Sequence, residues 1–213
     1  MSVSFPKSIR IELLSDTTFG RGEGTAGHVD VEVEHDELGI PILNGKAVRS
    51  LLRDTWLSMQ EHFPELQTAG VRLFGPHGEL NETGILRIGT ASIDPAARPW
   101  IDAAVNRGKN KIAPATILAG FTDIRHQTSE DRQTGAPERT TLRSMRVVVR
   151  GLELFSSLSW LVNPNAHELR CLALSVLGTR HAGLSRNRGR GHIRLLLEGN
   201  LNRTQTLAIG SPS

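Results

Sequence analysis

Ser8-Ile-Arg-Ile-Glu-Leu-Leu14 alternates apolar with polar side chains, the period of a strand that buries one face and wets the other. A glycine-rich stretch follows, and Val29 to Val33 alternates again, weakly, against Asp30, Glu32 and Glu34. After the turn Asp36-Glu-Leu-Gly39 and the extended Ile40-Pro-Ile-Leu43, Asn44 stands as the N-cap of a helix expected over Lys46 to Phe63. Val48, Leu51, Leu52 and Trp56 form its inner stripe, at spacings of three and four, and Pro64 ends it. Gly84 to Ile93 reads as a second strand, and Leu142 to Leu154 as a long one leading into Phe155 to Leu161. Asn163-Pro-Asn165 opens a second helix, Ala166 to Leu177, with Leu169, Leu172, Ala173 and Val176 inside. His192 to Leu197 is a last strand, and the final dozen residues read as a polar tail.

Strand, helix, strand, strand, helix, strand is the order of an α+β, ferredoxin-like (RRM-like) two-layer domain, here with large insertions. The longest of these, 122–141, is polar, charged and nearly without apolar anchors. It is too long for a plain connection in a compact domain, so a protruding hairpin or arm is expected. No boundary divides the chain, and 1–213 reads as one domain with 122–141 inserted in it.

Composition narrows the function. The 213 residues suffice for one medium domain with a real core. A hydrophobic content of 38% excludes a disordered tail, and no stretch approaches 18 apolar residues. The lone cysteine, Cys171, excludes a disulfide framework and a cysteine-rich zinc site, and its helix position reads as core. The net charge is only +3, yet the basic residues comprise 21 Arg and 4 Lys. Residues 1–139 hold 15 basic and 19 acidic side chains, whereas 140–213 hold 10 basic and 3 acidic. A small total therefore conceals a strongly basic second half. An Arg-rich composition inherited from a GC-rich genome is the plain alternative.

Four glycines and four arginines between Gly178 and Gly191 are the strongest local signal. Glycine lets backbone amides approach a phosphate closely, and arginine adds fixed bidentate donors. Arg180, Arg186, Arg188 and Arg190, with Gly189 and Gly191, are the candidate phosphate contacts. The Gly-Lys-Ser/Thr ending of a nucleotide-binding loop is missing. Lys46, Arg49 and Arg53 recur at three and four on one helix face and form a second basic element, although such a face is often merely solvated. Asp16, Glu23, Asp30, Glu32, Glu34, Asp36 and Glu37 cluster without the spacing of a calcium loop. Asp30, after a glycine loop and at a strand start, occupies a plausible catalytic place. His28 and His126 are candidates for RNA contact or proton transfer. Trp56 and Phe74 read as core.

Gly27-His-Val-Asp30, followed by Asp36-Glu-Leu-Gly-Ile-Pro-Ile-Leu-Asn-Gly-Lys46-Ala-Val-Arg-Ser-Leu-Leu-Arg53, resembles the signature of the RAMP superfamily, the repeat-associated RNA-binding proteins of CRISPR systems. Asn44 stands where that signature usually has proline, and Ser50 where glycine is common. Leu73-Phe-Gly75 resembles the family's Leu-Phe-Gly. Asp131-Arg-Gln-Thr-Gly135, with the strand ending at Gly151-Leu-Glu-Leu-Phe155, resembles its arm and return strand. Arg188-Gly-Arg-Gly191 resembles the end of its C-terminal glycine-rich loop. Four pieces in the right order span nearly the whole chain, and they are most similar to the backbone subunit of type III effector complexes.

The resemblance implies a palm and thumb, several copies stacked along a guide RNA (crRNA), and a thumb that displaces a base pair between guide and target RNA. On it, 122–141 is the thumb, with Arg125, His126, Arg132 and Arg139 its RNA-facing side chains. Lys46, Arg49, Arg53 and the 178–191 loop hold guide phosphates. Asp30 matches the loop aspartate that cuts target RNA with a divalent metal, expected to be Mg2+, by attack of a ribose 2′-hydroxyl. A non-catalytic subunit capping the 5′ repeat handle and a pre-crRNA processing endoribonuclease are the alternatives. Further copies of the chain and other effector subunits are the expected partners, with no membrane. Met1 to Asp16 lacks a leader pattern, so a cytoplasmic protein is expected, and the resemblance implies a prokaryotic one.

Overall fold

The structure, a computed structural model, describes residues 5–20, 29–76, 83–107, 110–128 and 142–210. Strand β1 (Ser8–Leu13) buries Ile9, Ile11 and Leu13 and turns Ser8, Arg10 and Glu12 to the opposite face, as its alternation requires. It lies between β5 (Glu153–Trp160), with Ile9 opposite Ser156, and β6 (Ile193–Leu197), with Ile9 opposite Leu197. A short β2 (Leu86–Ile88) adds to the far side of β5. The sheet order is β2-β5-β1-β6, with every neighbouring pair antiparallel. Helix α1 (Gly45–Met59) connects β1 to β2, and α5 (Ala166–Gly178) connects β5 to β6. This connectivity is consistent with a ferredoxin-like core.

Helices cover one face of that sheet. Asn44 caps α1 by accepting from the Lys46 amide, and Val48, Leu52 and Trp56 are its buried stripe. Asn165 and Glu168 form a reciprocal capping box at the start of α5. Leu172 and Val176 of α5 join Ile9, Leu52, Trp56 and Leu195 in the core. Each such fully buried side chain contributes roughly 2 kcal/mol. The expected core places of Trp56, Phe74 and Cys171 are observed, at 2%, 1% and 0% exposure.

Several expectations about the elements need correction. The first helix stops at Met59, and the chain passes through 3-10 turns at Gln60–His62 and Pro64–Leu66 into α2 (Gln67–Phe74). Pro64 thus opens a turn, where its missing N–H costs nothing. Gly70 of α2 sits against Trp56, where a Cβ would lie 2.0 Å from the indole nitrogen. The stretch 98–121 carries two helices, α3 (Arg98–Asn106), where the sequence reads as half-helical around Trp100 to Val105, and α4 (Pro114–Phe121), which it did not announce.

The long strand from Leu142 is two strands. β4 (Arg143–Val148) pairs with β3 (Thr122–Gln127) in a separate two-stranded ladder, and a turn with Gly151 at φ +85° precedes β5. The two ends of the stretch expected to form an arm are thus paired in a ladder that runs on to Val148, and 129–141, with Arg132 and Arg139, lies outside the described residues. The tail is in part a helix, α6 (Leu201–Ile209), capped by Asn200 and packed on α5. It buries little besides Thr204 and Ala208, so no apolar stripe announced it.

Candidate nucleic-acid interface

The Gly/Arg segment leaves α5 at Gly178 and returns to β6 as a closed loop. Ala182 N donates to Gly191 O at 2.9 Å, and Ile193 N to Arg180 O at 2.9 Å. Gly183, Gly189 and Gly191 have φ of +80°, +72° and +72°, values open to glycine at little cost. At Gly183 and Gly191 the space is also closed, since a Cβ would meet Thr18 O at 2.4 Å and Ala182 O at 2.1 Å. Arg186–Arg188 form a 3-10 turn at the tip. Arg180, Arg186 and Arg188 are exposed and Arg190 is half-buried. An open concavity of about 630 Å³ is lined by His181, Gly183, Leu184, Ser185, Arg186, Asn187 and Arg188.

The loop docks on the stretch that follows β1 and on the β3–β4 ladder. Leu184 N donates to Thr18 O, and Gly191 N to Asp16 O, each at 3.0 Å. The Asp16 carboxylate accepts from Arg125 Nε and Nη2 at 3.0 and 2.9 Å, and from Arg150 N at 3.2 Å. The Asp16 carboxylate raises the Arg125 guanidinium above its ordinary pKa, first through these hydrogen bonds. Arg188 Nη1 donates to Gln127 Oε1 at 3.2 Å, and Arg190 contacts Met145 of β4. Three stretches distant in sequence thus form one basic surface.

Asp30 lies on the other side of β4. Asp30 N donates to Ser144 O at 3.0 Å, while Ser144 N and Oγ donate to Asp30 Oδ2 at 2.6 and 3.1 Å. The Ser144 amide and hydroxyl hold its carboxyl below the ordinary aspartate range, and Arg143 adds to this. The group is exposed and ionised at neutral pH. Such a carboxylate orients or neutralises better than it accepts a proton. Among the described residues, no three His, Cys, Asp or Glu side chains gather to hold a metal. One carboxylate fits Mg2+ that arrives on RNA, since that ion keeps waters and substrate phosphates beside one or two carboxylates.

The rest of the acidic cluster is mostly structural. Glu32 is 7% exposed and accepts from Arg146 Nε at 2.7 Å and from Val33 N. Asp36 accepts from Leu38 N, Ile40 N and Arg98, and Glu37 also pairs with Arg98. Asp36 chiefly raises the Arg98 pKa. Glu23 and His28 lie outside the described residues.

The basic face of α1 stands apart from the loop. Arg49 Nη2 donates to Phe74 O and Arg53 Nη2 to Pro76 O, both at 2.5 Å, so these side chains hold the end of α2 at Leu73-Phe-Gly75. Lys46 is exposed. It is the other end of α1 that meets the loop's start, through Thr55 and Thr179 hydroxyls 2.8 Å apart. Nine residues of helix separate Lys46 from Thr55, about 14 Å. Ser144 and Gln127 were missed by sequence reasoning and Asp16 was read only as a member of the acidic cluster; none of the three carries a local signal of a partner more than 60 positions away.

A scan of protein-family models and a search of curated proteins find no match to this chain. Its fold, however, matches solved structures over nearly its full length. A cryo-EM structure of the type III-B Cmr-beta bound to cognate target RNA aligns with a TM-score of 0.64 and 13% identity, covering 90% of this chain and 96% of that one. The apo state of type III-B Cmr-beta aligns with a TM-score of 0.66 and 14% identity, covering 92% and 98%. The likeness is one of fold, shared with a chain of a type III-B complex.

Proposed function

We propose that this protein is a guide-RNA-binding backbone subunit of a type III CRISPR interference complex. The core serves as an RRM-like palm and 122–148 as the thumb, within one domain. The observation that carries the reading is the docking of the Gly/Arg loop on the arm base, through Gly191–Asp16–Arg125 and Arg188–Gln127. It seats the arginines of the loop beside Arg125 and Gln127, on a fold similar to that of a chain from a complex bound to target RNA.

Arg180, Arg186, Arg188 and Arg190, with the Gly189 and Gly191 backbone, hold guide phosphates. Lys46, Arg49 and Arg53 form a second contact, with Arg49 and Arg53 also fixing the α2 end. Further copies of the chain stack along the guide, and other effector subunits close the particle in the prokaryotic cytoplasm. No helix among the described residues is long and apolar enough to cross a membrane. Target RNA is cut beside Asp30, which would hold Mg2+; that ion, when bound, stabilises charge on the phosphate.

Arg186, Arg188 and Arg190 replaced together by alanine should weaken binding of single-stranded RNA across sequences. Each lost phosphate contact lowers the salt slope by about 0.7, so the triple variant should lose about 2. Unchanged affinity and slope would refute the loop's role. Asp30→Ala should leave assembly intact and abolish periodic target cleavage; cleavage that survives with the same metal dependence removes Asp30 from the reaction.

A further inference from the structure

The pairing of the arm base carries a consequence for the reaction proposed above, on which this inference rests. β4 has β3 on one side and the Asp30–Val31 backbone on the other. His126 of β3 is directly opposite Ser144. On the far side Val31 bridges Met145 in parallel, which puts Asp30 beside Ser144. Side chains directly opposite one another share a face, with Cβ atoms about 5 Å apart. His126, Ser144 and Asp30 therefore form one row on one face, and both outer members are exposed. The next row is Ile124, Arg146 and Glu32, whose ion pair confirms the register. The opposite face carries Arg125, Met145 and Val31, against which the Gly/Arg loop and Asp16 are packed.

We propose that His126 is the general acid of target RNA cleavage, acting across Ser144 from Asp30. In the cleavage step the ribose 2′-oxygen attacks phosphorus and the P–O5′ bond breaks. The products are a 2′,3′-cyclic phosphate and a 5′-hydroxyl. The 2′-hydroxyl proton leaves to water on the Asp30 side. The 5′-oxygen needs a proton, and His126 is the proton-donating side chain that shares this row with Asp30. Imidazole is the side chain suited to donate one near neutrality. The charges around the row are Arg143 beside Asp30, the paired Arg146 and Glu32, and Asp123 and Arg125 on the reverse of β3. Asp123 and Arg125 also pair with one another.

The test uses the full chain assembled on its guide and two versions of the target RNA. One has ordinary linkages, and the other has a sulfur in place of the bridging 5′-oxygen at the cut positions. His126→Gln should slow cleavage of the ordinary target, at saturating RNA, roughly 100-fold and remove the fall in rate toward alkaline pH. The sulfur-bridged target, whose thiolate leaves without a proton, should be cut by His126→Gln as fast as by the parent chain. Asp30→Ala should not be rescued by the sulfur. Unchanged rate and pH profile in His126→Gln, or a slow variant that sulfur fails to rescue, overturns the acid role alone. Failure of the parent chain to cut either target overturns the cleavage reading together with this inference.

Discussion

Gly189 and Gly191 share a φ of +72° but differ in what surrounds them, so alanine at each separates backbone strain from loss of docking. At Gly189 an added Cβ meets nothing within 4 Å. Its cost is that of a left-handed conformation in an L-residue, about 1 kcal/mol. At Gly191 the same cost is joined by a Cβ only 2.1 Å from Ala182 O. Something must shift, and the bonds at risk are Ala182 N to Gly191 O and Gly191 N to Asp16 O. Each is worth about 1 kcal/mol net. Gly191→Ala should therefore cost about 3 kcal/mol in urea unfolding, and Gly189→Ala about 1 kcal/mol. RNA binding should follow the same order although no arginine is changed, because Gly191 fixes where Arg186 to Arg190 point. Equal effects of the two variants on stability and binding would refute the claim that docking, rather than flexible charge, organises the loop.

Two further perturbations probe the strand that joins arm and loop. Arg146→Ala leaves the Glu32 carboxylate, 7% exposed, with only the Val33 amide among the described residues. Breaking a buried pair costs about 3–5 kcal/mol, and the partial exposure of Arg146 reduces this to about 2 kcal/mol; a urea-unfolding change below about 0.5 kcal/mol contradicts it. Ser144→Ala removes the hydroxyl that, after the Ser144 amide, holds the Asp30 carboxyl low. The Asp30 pKa should rise part of the way to its ordinary value. A lowered folded-state pKa stabilises the protein above the unfolded value, and that stability is lost as pH falls through the folded one. The variant should therefore have less of this acid-sensitive stability. An unchanged Asp30 titration by carboxyl NMR contradicts the assignment.

The elements that sequence revealed are those whose side chains alternate or stripe against the core. Ser8–Leu13, the Val48–Leu52–Trp56 stripe, Ala166–Gly178 and Ile193–Leu197 were all legible this way. Helix α6 was not, because Thr204, with its hydroxyl on Asn200 O and Leu197 N, does the packing that an apolar residue would announce. The break before β5 was hidden because Val147, Val148 and Val149 continue the pattern, while one glycine turns the chain. The Gly/Arg loop was legible as a loop and as basic. Its seat on Asp16 and Gln127 was not, since hydrogen bonds between distant polar residues leave no period in the sequence. Asp30 was singled out by its place after the glycine loop, but the partners of the other acids were not legible. Ion pairs with Arg98, Arg125 and Arg146 set Asp36, Asp16 and Glu32 apart from it.

The most direct test of the account is a cryo-EM reconstruction of the particle assembled with guide and target RNA. The account predicts several copies of this chain in register along the guide. In each, residues 179–191 lie on guide phosphates and the arm rooted at Thr122–Gln127 and Arg143–Val148 enters between guide and target. A single copy seated at one end of the guide, or RNA running over a surface away from the loop and the arm, contradicts it.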